Sequence, residues 1–285
     1  MNCLNCGAAL QGPYCALCGQ KHDPHRHSVG HFVAETAESL SHADSRLWST
    51  LWTLLTKPGA LAIDFFEGRR ARYIPPIRLY LVISIAFFIV LNLDTGTEVK
   101  VADDVTVQGV SLTEPNKDRE AVAKLCSKIT YNGPLAARIK PKIEAGCAKA
   151  LVDGGASLGA VFMRNLPKAM FVLLPVFALL MLPFYIRPYR LYAEHLVFLL
   201  GNHTAIFLVS ILSQLGGLVL PSVVGGPLTF VGFLYMIWYC WRGMRVFYGN
   251  GRGLSAVKFL VLGLLYIWLA AIVLTTTGLV SLLEV

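Results

Sequence analysis

Four cysteines near the start of the chain form two copies of one short turn, Cys3-Leu4-Asn5-Cys6-Gly7 and Cys15-Ala16-Leu17-Cys18-Gly19. Thiolates are soft metal ligands, and two residues between cysteines let both sulfurs reach one ion. Together Cys3, Cys6, Cys15 and Cys18 offer the four ligands of a closed tetrahedral Zn²⁺ site. A closed site has no position for substrate, so its role is structural. The glycine after each second cysteine supplies the positive φ that turns backbone N–H groups toward sulfur. A segment of about twenty residues buries too little to fold alone, so the metal must supply most of the folding free energy. Iron in a rubredoxin-like site also uses four cysteines, but no redox partner motif accompanies this set. His22, His25 and His27 follow closely and read as a polar linker, because four cysteines already saturate zinc.

A second group of polar residues lies inside an apolar run. Tyr192-Ala193-Glu194-His195 opens that run, and Asn202-His203 sits within it. Ionisable groups at membrane depth are costly and point to a proton relay or a metal site; the plainer role is an interhelical hydrogen bond. His195 and His203 are roughly 80° out of alignment on a helix, so they share a face only in part. The chain has no HExxH, GxSxG or phosphate loop, and no catalytic residue is assigned.

The elements that must carry these groups are mostly membrane spans. Hydrophobic residues are 55% of the chain and charged residues only 15%, well short of a soluble domain's share. Five apolar runs are expected to span: Ile77–Leu93, Leu166–Ile186, His195–Leu215, Ser222–Trp241 and Lys258–Leu279. The first is short. Residues 1–30 lack a hydrophobic stretch, so the first span is expected to act as an uncleaved anchor. Lys57, Arg69, Arg70, Arg72 and Arg78 precede it. Arg187 and Arg190 lie between spans two and three, and Arg242, Arg245, Arg252 and Lys258 between spans four and five. The positive-inside rule then puts the N-terminus in the cytoplasm and the C-terminus outside. The net charge of +8 follows largely from this topology and from attraction to lipid headgroups.

Cysteine placement gives the same orientation. Cys126 and Cys147 fall in the long segment 94–165, which is then extracytoplasmic, where an oxidising compartment lets them pair. The four zinc cysteines stay on the reducing side. Within the insert, Val99–Leu112 alternates as a short strand pair, while Asp118–Ile129 and Leu135–Val152 read as amphipathic helices.

Ahead of the first span, residues 1–20 form the ribbon and 21–43 a linker with a short helix from Ser28 to Ser41. Residues 44–76 form an interfacial and juxtamembrane segment. Trp48 and Trp52 lie on an apolar face about ten residues long, too short to span and suited to the membrane interface. Pro58-Gly59 ends that helix, Leu61–Phe66 makes another, and Arg69, Arg70 and Arg72 form a basic cluster. The cluster fixes topology or recognises anionic lipid.

Thr53-Leu54-Leu55-Thr56-Lys57-Pro58-Gly59, then Phe65-Phe66-Glu67-Gly68-Arg69-Arg70-Ala71-Arg72-Tyr73-Ile74-Pro75-Pro76 and Arg78-Leu79-Tyr80-Leu81, are similar to the signature of an uncharacterised bacterial membrane family, domain of unknown function three-six-six-seven. Tyr192-Ala193-Glu194-His195-Leu196-Val197-Phe198 resembles that family's helix start, and the ribbon resembles the short double-CxxCG ribbon of bacterial proteins. The resemblance implies a bacterial inner-membrane protein and no particular activity.

The expected architecture is therefore mostly α: a short zinc ribbon, interfacial amphipathic helices, and a bundle of about five spans with one small extracytoplasmic insert. The expected function is non-enzymatic, with the ribbon serving protein interaction, self-association, assembly or regulation while the chain contacts membrane lipid. Nucleic acid is disfavoured as a partner, since residues 1–27 carry only Lys21 and Arg26 as fixed positive charges. One alternative is a small transporter or channel using His203 and Asn202. Another is a membrane-interface enzyme acting on lipid, with Glu194, His195 and the arginine cluster converging.

Overall fold

A computed structural model describes residues 1–21, 46–94, 106–107, 110–111, 119–133, 136–186, 190–219 and 221–285. The short helix expected from Ser28 to Ser41, with His22, His25 and His27 before it, lies outside the described residues. Nine α-helices account for most of what is described. They are α1 (Leu47–Thr56), α2 (Ala60–Phe66), α3 (Pro76–Asp94), α4 (Arg119–Cys126), α5 (Ala136–Val152), α6 (Ala156–Met181), α7 (Tyr192–Val219), α8 (Ser222–Tyr248) and α9 (Arg252–Glu284). A 3-10 turn, Leu182–Tyr185, follows α6. A minimal antiparallel hairpin pairs β1 (Thr106–Val107) with β2 (Val110–Ser111), in register Thr106↔Ser111 and Val107↔Val110.

The chain is a helical membrane protein. Four helical segments are long and apolar enough to cross a bilayer: Ala156–Tyr185, Tyr192–Gly217, Val224–Tyr248 and Arg252–Glu284. The run expected as a first span forms α3, whose 19 residues reach ~28 Å, close to the hydrocarbon thickness. On α3, Leu79, Tyr80, Ile83 and Phe88 face inward, while Val82, Ile85 and Ile89 stay exposed. Apolar groups on the outer face of such a helix are suited to lipid. The helices overrun the predicted spans at their ends, most at α6 and α9. Hydropathy marks the hydrocarbon-facing stretch, whereas Arg164 and Arg252 remain helical beyond it.

Two compact units make up the chain. The first holds Met1–Leu91 and Leu174–Leu265. In it, α7 and α8 pack extensively, and α2 sits against both. Phe207 of α7 stacks on Phe87 of α3 with centroids 4.6 Å apart. The second unit holds Asn92–Leu173 and Tyr266–Val285. There α4 packs on α5, with Val122 and Cys126 as the buried centre. Gly146 of α5 is needed for packing: a Cβ there would meet the backbone oxygen of Leu282 at 2.0 Å.

Candidate metal centre and its mounting

The two CxxCG turns fold alike, offset by twelve residues. Gly7 N–H donates to Cys3 O and Gly19 N–H to Cys15 O, both at 2.8 Å. Cys3 N–H donates to Ala8 O at 2.8 Å and Cys15 N–H to Gln20 O at 2.9 Å. Bridges Asn2↔Ala9 and Tyr14↔Lys21 flank them with the same offset. Gly7 and Gly19 have φ of 77° and 71°, the left-handed geometry that each turn requires.

The folding brings all four Sγ atoms within 4.8 Å of one another. Cys3 lies 3.6 Å from Cys18 and Cys6 lies 3.5 Å from Cys15. A tetrahedral tetrathiolate site with metal–sulfur bonds of ~2.3 Å has sulfur–sulfur edges of ~3.8 Å, so the set fits one metal ion. The Asn5 side chain and the Gln20 backbone hold Cys18 down to about 6. Backbone hydrogen bonds from Cys18 and Leu17 lower Cys15. Ala8 pulls Cys6 down through its backbone, but desolvation and three neighbouring thiols carry it up to about 12. A cation bound among such sulfurs displaces the last proton into solvent, which is how a metal site behaves.

The ribbon is mounted through a residue that is not a ligand. Gln20 Nε2 donates to Gly68 O at 2.6 Å, and Gln20 Oε1 accepts from Arg70 N–H at 3.1 Å and Ala71 N–H at 3.0 Å. Leu4 lies beside the same turn: a Cβ on Gly68, whose φ is 87°, would lie 2.7 Å from Leu4 Cδ1. The same turn is tied to α1. Arg46 donates to Ala71 O at 2.9 Å, and Thr50 Oγ1 accepts from Ile74 N–H at 3.1 Å. At the far end of α1, Tyr239 Oη donates to Leu54 O at 2.7 Å, and Tyr235 Oη donates to Leu55 O. These α8 hydroxyls satisfy carbonyls that a helix C-terminus leaves open. Trp48 and Trp52 lie on the opposite side of α1, 81% and 69% exposed.

The three arginines of the basic cluster are largely occupied. Arg69 is ion-paired with Asp64 and Glu67. Arg70 lies over the Phe65 ring at 4.9 Å and Arg72 over Tyr73 at 5.7 Å.

Glu194, His195 and His203 of α7 have partners. Glu194 is the third helical residue, and its Oε2 accepts from Leu191 N–H at 2.6 Å, a helix-capping contact. Its Oε1 accepts from Arg190 at 2.9 Å. His195 is fully buried and its Nδ1 lies 2.7 Å from Tyr248 Oη, while Nε2 has no partner among the described residues. His203 Nδ1 meets Leu199 O at 3.0 Å within its own helix. Asn202 is buried beside Gly243 of α8. Among the described residues, no hydrogen bond or ion pair joins Arg69, Arg70 or Arg72 to Glu194 or His195. In the second unit Cys126 and Cys147 form a disulfide with Cα atoms 5.9 Å apart.

Gln20, Tyr239 and Tyr185 do not stand out in the sequence. Tyr185 stacks on Tyr248 at 3.7 Å with Lys258 Nζ 4.1 Å from its centroid. All three act at long sequence separation with no local periodicity to mark them. Glu194 did carry a signal, since a carboxylate three residues into a helix is half of a capping box.

Residues 44–88 match the family described as Protein of unknown function (DUF3667). The match bears out the family resemblance over α1, α2, the basic turn and the start of α3, which is the segment that receives the ribbon. No curated protein and no solved structure matches the chain.

Proposed function

We propose that this chain is a non-enzymatic protein of the bacterial inner membrane whose zinc ribbon presents a fixed surface to a protein partner or to a second copy. The observation that carries the reading is the mounting. The Gln20 clamp seats one side of the ribbon on the DUF3667 segment, with the 57% exposed Leu4 beside Gly68, while Leu17 and Tyr14 are 76% and 59% exposed. A metal site used only to fold a tether would not need such a seat. Zinc is the metal best suited to four thiolates in reducing solvent, since it is redox-inert and tetrahedral.

Orientation follows from charge and cysteine chemistry. The basic residues flanking the spans favour a cytoplasmic ribbon, and the Cys126–Cys147 disulfide favours an extracytoplasmic insert. With α3 as a span, these two assignments agree. The C-terminal residue is then extracytoplasmic.

Site-specific photo-crosslinkers at Leu17 and at Tyr14 test the reading. Leu17 should give a discrete protein adduct that disappears in Cys15→Ser at equal membrane abundance. Absence of any protein adduct at Leu17 and Tyr14, or an adduct that persists in Cys15→Ser, would sink it.

A further inference from the structure

A cleft of about 590 Å³ lies between the α1–α2 link, the last turns of α8 and the first residue of α9. Lys57, Arg242, Arg245 and Arg252 line it together with Trp238 and Trp241, and among the described residues no carboxylate does. No ion pair engages any of the four cations among the described residues. Trp241 Nε1 is buried and has no acceptor among them either.

Charge topology accounts for basic residues at this end of the spans, and a helix C-terminus favours Arg245. Neither explains why three separate elements deliver cations to one cleft with no carboxylate beside them among the described residues. Nor does either explain a buried indole N–H left without an acceptor. An anion in the cleft resolves both.

Its position says what carries that anion. Residues 249–251 are the link between two candidate spans, Val224–Tyr248 and Arg252–Glu284, so the cleft lies at a membrane–water boundary. Tryptophan favours that depth. Guanidinium groups bind phosphate in bidentate fashion, the Trp241 N–H adds a neutral donor, and Trp238, half exposed, offers an apolar flank. Arg69, Arg70 and Arg72, by contrast, already have intramolecular partners.

We propose that this cleft binds the phosphate of an anionic phospholipid headgroup. A soluble phosphate shares the ionic chemistry but lacks the apolar part that the tryptophans suit. The proposal goes beyond the ribbon reading and does not depend on it.

The full chain, purified in neutral detergent, is titrated with dihexanoyl phosphatidylglycerol, dihexanoyl phosphatidylcholine and inorganic phosphate, with tryptophan fluorescence as the readout. Phosphatidylglycerol should bind saturably and more tightly than either of the others. Each neutralised cation should weaken it roughly fivefold, so R242Q/R245Q should weaken it roughly 25-fold. K57Q/R252Q, on other elements, should do likewise and decides the matter if the first variant does not fold. R138Q/K142Q, which removes the same charge from α5, should bind as wild type does. Three results would overturn the proposal. One is unchanged binding in both cleft variants. A second is an equal loss in R138Q/K142Q, since that is non-specific attraction. The third is inorganic phosphate binding as tightly as the lipid, which reassigns the cleft to a soluble ligand.

Discussion

Replacing Gln20 with alanine removes three hydrogen bonds at once, to Gly68 O, Arg70 N–H and Ala71 N–H. Each is worth ~0.5–1.5 kcal/mol net, and because the site is partly exposed, water replaces part of that. The seat should therefore weaken by roughly 1–3 kcal/mol, a factor of roughly 5–150 in its opening equilibrium. Amide hydrogen exchange reads this directly, since two of the lost bonds protect the amides of Arg70 and Ala71. Those two should exchange faster by that factor, while Ile74 N–H, held by Thr50 Oγ1, serves as the internal reference. Gln20→Glu keeps acceptors for both amides but loses the donor to Gly68 O, so it should fall between. The metal should stay bound in both, because Gln20 contributes its backbone, not its side chain, to the second CxxCG turn. If Arg70 and Ala71 exchange at wild-type rates in the alanine variant, the ribbon is not seated on this turn and the reasoning fails.

Gly68→Ala forces a side chain into a positive-φ position against Leu4 and should cost roughly 1–3 kcal/mol, read as a lower thermal midpoint that Leu4→Ala partly restores. Chelation of the metal, or Cys15→Ser, should unfold residues 1–21 while far-UV circular dichroism retains the helical signal of the body. Tyr239→Phe strips the hydroxyl from Leu54 O and should destabilise α1 by ~1–3 kcal/mol, read by exchange of the α1 amides. Reducing or deleting the Cys126–Cys147 bridge should cost ~3 kcal/mol locally, read as faster exchange in α4 with the ribbon unaffected.

The sequence discloses whatever rests on local pattern. Two CxxCG turns put four sulfurs together because the turn geometry is contained in each five-residue copy. Four of the five expected spans coincide with helices long and apolar enough to cross a bilayer, because lipid rewards unbroken apolar runs, while the first falls on a shorter apolar helix; the ends were not legible, because a charged residue at a helix end leaves hydropathy without leaving the helix. The roles of Arg69, Arg70 and Arg72 were harder to read. As composition they are a lipid-facing patch, but Asp64, Glu67, Phe65 and Tyr73 sit close enough to engage them. The cleft of Lys57, Arg242, Arg245 and Arg252 was invisible, since nearly two hundred positions separate its first cation from the others and only tertiary packing unites them. Gln20 was missed for the same reason.

The order of the contacts decides what loss of metal does to the membrane-facing body. A ten-residue helix such as α1 is marginal by itself, so it must be held at both ends. At its start the basic turn does this, through Arg46 to Ala71 O and Ile74 N–H to Thr50 Oγ1. At its end α8 does, through the hydroxyls of Tyr235 and Tyr239. The ribbon meets the turn through Gln20 and Leu4. One bond that fixes α1, Arg46 to Ala71 O, ends on a residue that Gln20 also holds, so releasing the ribbon loosens residues 68–71 and weakens that anchor, while Thr50 with Ile74 and the two α8 tyrosines still hold α1. A metal-folded module attached this way depends on the membrane segment for its position, while the segment depends little on the module. That asymmetry suits a surface that can be gained or lost with the metal without unfolding the protein beneath it.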